Sequence, residues 1–140
     1  MDFSQDDEII KIFIEESRDH LAEIEDGILE LENESAGKKS ELVHQMFRAA
    51  HSIKAGANLL NLRNIETLAH LLESILQRLR FGEQQTDSDL VTTFLQGVDK
   101  IAELIDNLSF SDLSNISLLV DQLTTITNRL NDTETKNSDC

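Results

Sequence analysis

The sequence predicts an all-α protein, an up-and-down antiparallel bundle with a four-helix core and about five helices in all. Proline, tyrosine and tryptophan are absent and glycine occurs five times, so the usual punctuation of strands and tight turns is missing. Apolar residues recur at spacings of three and four through five separate stretches, the signature of amphipathic helices. The polar connections between stretches are short, which favours antiparallel neighbours, and no sequence repeat argues for a solenoid.

The first stretch runs from Asp6 to about Glu32 with Ile9, Ile10, Phe13, Ile14, Leu21, Ile24, Ile28 and Leu31 on its stripe, and Ser4 or Asp6 can cap it. Asn33 to Lys39 reads as a loop. The second helix, Ser40 to about Ala57, buries Val43, Met46, Phe47, Ala50, Ile53 and Ala57. A turn near Asn58 to Asn61 leads into a third, with Leu62, Ile65, Leu68, Ala69, Leu72, Ile75, Leu76 and Leu79, stopped at Phe81-Gly82. Asp87 or Ser88 caps a fourth, whose wide apolar face from Leu90 to Leu108 suits burial against several neighbours. A fifth spans about Asp112 to Leu130, with Leu113, Ile116, Val120, Leu123, Ile126 and Leu130 inward. Residues 1–130 are thus expected to form one domain, and residues 131–140 a disordered polar tail.

Twelve basic against 27 acidic side chains give a formal net charge of −15, which repels nucleic-acid backbones and anionic lipid surfaces. No stretch approaches the roughly 20 apolar residues that cross a bilayer, and the start is acidic where a signal peptide is basic and then apolar. A cytoplasmic location follows as an expectation, and the lone cysteine, Cys140, has no internal disulfide partner and is given no role.

Four histidines are present, and position distinguishes them. At about 100° per residue His51 lies roughly 110° from the centre of its stripe, on the border between core and solvent. Lys54, at i+3, brings an ammonium within reach of anything attached to that ring, and the small Ala55 one turn on leaves it uncovered. On the third helix Glu73 lies roughly 100° from the stripe centre and His70 somewhat farther, both on the flank of the same sense. Adjacent antiparallel helices can therefore bring His51 and Glu73 together. A carboxylate accepting Nδ1–H would leave the Nε2 lone pair free to attack phosphorus, with Lys54 neutralising phosphoryl oxygens. No glycine-rich phosphate loop, nucleotide site or magnesium cluster is apparent, so a phosphate donor must come from elsewhere. His20 and His44 read as surface residues; Glu41 and His44 make one E-x-x-H, where a di-iron bundle needs two and further glutamates.

The stretch Phe47-Arg48-Ala49-Ala50-His51-Ser52-Ile53-Lys54-Ala55-Gly56-Ala57 closely resembles the acceptor helix of histidine-phosphotransfer domains, above all the N-terminal domain of CheA-type chemotaxis kinases. The likeness extends to Phe13-Ile14-Glu15-Glu16-Ser17-Arg18-Asp19-His20-Leu21, to His70 with Glu73, and to Leu79-Arg80-Phe81-Gly82, and covers most of residues 5–110. It implies that His51 is the phosphoacceptor, Glu73 its hydrogen-bond partner, and Lys54 and His70 supporting polar groups. It also implies a histidine kinase catalytic domain and a response-regulator receiver domain as partners. From the residues themselves no cofactor or metal and no ATP site of its own are expected, and a single exposed acceptor needs no partner subunit, so a monomer is expected.

The sequence departs from that family at Ala55, Asn58 and Asn61, where glycine is usual. Alanine within a helix gains up to about 1 kcal/mol over glycine, and asparagine tolerates turn geometry better than most residues. Two readings of other classes compete. One is a zinc site from His51, His70 and Glu73, which Lys54 argues against; the other is a helical adaptor that binds a kinase or receiver domain without taking phosphate.

Overall fold

The computed structural model describes residues 7–33, 39–81 and 86–138. Its helices are α1 (Asp7–Asn33), α2 (Lys39–Leu59), α3 (Arg63–Phe81), α4 (Ser88–Asp106) and α5 (Ser117–Ser138), with a short 3₁₀ segment, Leu108–Leu113, between the last two. No strand occurs among the described residues. The bundle is therefore all-α, as the periodicity requires. The expected caps at Ser4 and Asp6, the 34–38 loop and the Gly82 stop lie outside the described residues.

Helices α1 to α4 form the four-helix core, each packed on its chain neighbour and α1 closing the ring against α4, while α5 lies outside on α3 and α4. Two close approaches set the α1–α2 spacing: a Cβ on Gly27 would fall 2.6 Å from Met46 Cγ, and one on Gly56 would fall 2.8 Å from Phe13 Cδ1. Only glycine lets the two helices meet there without repacking. Ile24, Ile28, Ile53, Leu68, Leu72, Ile75, Phe94 and Ile101 are sealed between the helices. Among the described residues, Glu73 is the one charged side chain that is buried.

The turn that sets the α2–α3 register is a Schellman closure. Leu62 N donates to Ala57 O at 2.9 Å, Asn61 N to Asn58 O at 3.2 Å, and Asn61 sits in the left-handed region at φ 59°. Asparagine accepts that conformation in place of glycine. Asn58 Nδ2 then donates to Glu66 Oε2 at 2.6 Å, tying the end of α2 to the first turn of α3.

Three expectations are corrected. Asp112 and Leu113 do not open the fifth helix: Asn64 Nδ2 donates to both Ser111 O and Ser114 O at 2.8 Å, and Asp112 Oδ1 accepts from Asn64 N, which holds this segment against the start of α3. Asn115 instead accepts from Ser117 N, so α5 begins there and Leu113 is left exposed. At the other end α5 runs on to Ser138, since no proline or glycine between Asn131 and Ser138 stops it. Ile9, expected on the buried stripe, is exposed, because α2 does not close on the first turn of α1 and a groove stays open between Ile9 and Leu59. Asp87 caps α4, its Oδ1 accepting from Leu90 N at 2.8 Å.

The left-handed Asn61 supplies a test of the turn. Asn61→Ala is expected to lower unfolding stability by about 1 kcal/mol, the cost of a Cβ without a local polar partner at positive φ, and Asn61→Gly to change it by less. Urea unfolding of the two variants measures both.

Candidate functional site

α2 and α3 run antiparallel, and their facing flanks carry His51 and Glu73. His51 Nδ1 lies 2.6 Å from Glu73 Oε2, and Lys54 Nζ donates to Glu73 Oε1 at 2.8 Å. The carboxylate thus has one cation-capable group on each oxygen. Exposure divides the three sharply: the His51 side chain is 58% exposed, Lys54 27% and Glu73 10%. A buried acceptor holds a group that solvent can reach.

Burial is the largest single influence on Glu73 and would raise its pKa. The hydrogen bonds from Lys54 and then His51, with the charges behind them, together outweigh it, and the pKa lies below the ordinary value of 4.5. Glu73 is therefore ionised at neutral pH and can only accept hydrogen bonds. Its contact with Nδ1 requires Nδ1 to carry the proton, which leaves the Nε2 lone pair free on the exposed edge of the ring. Arranged this way, the imidazole is a nucleophile whose developing positive charge already faces a carboxylate.

A further contact was not legible as functional from the stripe pattern. Phe47, read as a core residue, is half-buried, and its ring lies 6.4 Å from the His51 ring with the planes 14° apart. Arg80 places its guanidinium carbon 5.8 Å from the Phe47 ring centre on the same α2–α3 surface. The i, i+4 spacing of Phe47 and His51 was the available signal.

The remaining expectations fare differently. His70 is exposed and among the described residues joins neither the His51–Glu73 pair nor Lys54 by any hydrogen bond or ion pair. His44 is no surface residue: it is half-buried, and its Nδ1 is shut away from water without a hydrogen-bond partner. His20 is also half-buried, 3.9 Å from Glu23. No group of three potential metal ligands gathers among the described residues. The carboxylate oxygen that a zinc ion would need holds the Lys54 ammonium instead. On the other flank of α2, an apolar groove of about 180 Å³ runs between Ile9, Ile12, Phe13 and Leu59 and reaches Ser52, the residue after His51.

A depressed Glu73 pKa contributes stability that is complete above about pH 4.5 and is lost as pH falls through the lowered folded value. The stability advantage of the wild type over Glu73→Gln is expected to hold from pH 5.5 to about 4.5 and shrink below it. Urea unfolding across that range tests this, and an advantage that grows toward pH 3 would contradict it.

Comparison with known proteins agrees with the geometry. The family model described as "Hpt domain" matches residues 8–109. The chemotaxis protein CheA of Salmonella typhimurium is 36% identical over 94 residues, covering 67% of this chain and 14% of that protein. The CheA of Rhizobium meliloti is 35% identical over 97 residues, covering 69% of this chain and 12% of its own length. The chain thus spans about an eighth of the curated relatives it matches. Among solved structures, the CheA phosphotransferase domain from Thermotoga maritima aligns at TM-score 0.65 with 32% identity, covering 73% of this chain and 95% of that one. The phosphorylated P1 domain of CheA3 in complex with CheY6 from R. sphaeroides aligns at 0.75 with 23% identity, covering 89% and 98%, a likeness of fold. No described helix is long and apolar enough to cross a membrane. By the extent of the family match, and by the relatives that share it, this chain belongs to the Hpt domain family.

Proposed function

We propose that the chain is a histidine phosphotransfer domain of a two-component relay, in which His51 takes a phosphoryl group from a histidine kinase and passes it to a response-regulator aspartate. The observation that carries this reading is the exposed His51 imidazole anchored at Nδ1 by the buried Glu73 carboxylate. Nε2 attacks the γ-phosphorus of ATP held by the kinase; the Nε2–P bond forms as the P–O bond to ADP breaks. The ring keeps its Nδ1 proton and becomes cationic, and Glu73 stabilises that charge. In the second step a receiver carboxylate oxygen attacks phosphorus, the Nε2–P bond breaks, and the ring leaves as a neutral imidazole. Lys54 stands one turn along the same helix, where its ammonium offsets the charge on the phosphoryl oxygens.

Charge distribution supports acidic partners. α2 and α3 together carry six lysines and arginines against three acidic residues, whereas α1 carries ten acidic residues against two basic. The two helices that carry His51 and Glu73 thus hold more basic than acidic residues within a chain of net charge −15, which favours approach of an acidic receiver site or the phosphates of a nucleotide. The apolar groove beside Ser52 adds a surface on which such a partner can rest. A cytoplasmic, cofactor-free monomer with no ATP site of its own completes the reading.

The test is to incubate the protein with the catalytic domain of a CheA-class kinase and labelled ATP. Acid-labile, alkali-stable label is expected on the wild type and none on His51→Gln. Glu73→Ala is expected to slow labelling by roughly 10- to 100-fold, the value of one hydrogen bond to a charged group, and Lys54→Met by less. Label surviving in His51→Gln would sink the reading; tight kinase binding without label would favour an adaptor, and stoichiometric metal a zinc site.

A further inference from the structure

Glu73 fixes one edge of the His51 ring, but one hydrogen bond leaves the imidazole free to swing about the axis through Nδ1. Helical side chains lean toward the N-terminus, so the His51 ring lies over the preceding turn, where Phe47 stands. The two rings are nearly parallel, 14° apart, with centroids 6.4 Å from each other, within the range of offset aromatic pairs. On the other side of His51 one turn on is Ala55, too small to bound the ring. Phe47 is therefore the wall beside a ring whose side chain is otherwise open, at 58% exposed. The wall is itself held: Arg80, from the last turn of α3, is 5.8 Å from the Phe47 ring centre, within cation–π distance.

We propose that Phe47, steadied by Arg80, is a positioning residue for the reaction: it sets the plane of the His51 imidazole so that Nε2 points outward along the line of attack. The inference rests on the phosphotransfer reading above. Glu73 selects which nitrogen is free, and Phe47 selects where that nitrogen points. A flat ring lying nearly parallel to the imidazole restricts its plane, which an aliphatic side chain of similar size does not. A positioning effect of this kind appears in the chemical step, whereas a partner contact made by Phe47 would appear in KM.

The experiment measures phosphorylation of the whole chain by a CheA-class kinase domain with ATP, varying the concentration of this protein to separate kcat from KM. Phe47→Leu, which keeps an apolar side chain but removes the ring, is expected to lower kcat roughly three- to tenfold with KM within twofold of wild type. Phe47→Tyr, which restores the ring, is expected to return kcat to within twofold. Arg80→Gln leaves Phe47 in place and is expected to lower kcat by about two- to threefold, which keeps the inference testable should Phe47→Leu fail to fold by circular dichroism. An unchanged kcat in both Phe47→Leu and Arg80→Gln overturns it, as does a loss in Phe47→Leu that Tyr does not restore, or a loss carried wholly in KM. A wild type that takes no label on His51 would instead bring down the phosphotransfer reading on which it rests.

Discussion

A carboxylate withdrawn from water must be hydrogen-bonded on both oxygens or it gives up its charge, and Glu73 meets that condition by dividing itself between His51 and Lys54. Everything distinctive about the site depends on this one buried anion. It determines the tautomer of an exposed imidazole, it holds a lysine one turn from that ring, and it remains ionised because those two neighbours outweigh the cost of burial. A surface carboxylate in the same position would be screened and mobile, and it would orient the ring far less.

The bundle holds α2 and α3 in the register that makes this contact. The Schellman turn at Asn61 sets where α3 starts, the Asn58–Glu66 bond fixes the first turn, and the core residues Ile53, Leu68, Leu72 and Leu76 hold the two helices together. One residue of slippage rotates Glu73 about 100° away from His51. α1 closes over the opposite side of α2 through Gly27 and Gly56, so α2 is gripped from behind while its His51 edge stays open. The 3₁₀ segment, pinned by Asn64, ties the connection between α4 and α5 to the start of α3.

Much of this was legible before any coordinates. Helical periodicity put His51 and Glu73 on matching flanks, and the Lys54 spacing followed from one turn of helix; the structure brings these three residues together. His70 shows the limit of that argument: it shares the flank with Glu73, yet flank membership does not give contact, and its ring stands in solvent. Phe47 shows the converse, since a residue counted toward the core stripe lies at the stripe's edge with its ring beside that of His51. Ile9 and Leu113 were misplaced because a stripe records what a helix could bury and not whether a neighbour is there to bury it. The interruption at Leu108–Leu113 arises from Asn64, more than 40 residues away in sequence, and no local pattern reports a clamp of that range.

The central claim is that the His51 imidazole is held as the Nδ1–H tautomer by Glu73, with Nε2 free. Long-range ¹H–¹⁵N NMR of the unphosphorylated protein, at a pH where the ring is neutral, reads the protonation of each ring nitrogen directly. The proton is expected on Nδ1 in the wild type and a mixture of tautomers in Glu73→Ala; a wild-type ring protonated on Nε2, or a tautomer ratio indifferent to Glu73, would contradict a carboxylate-held imidazole.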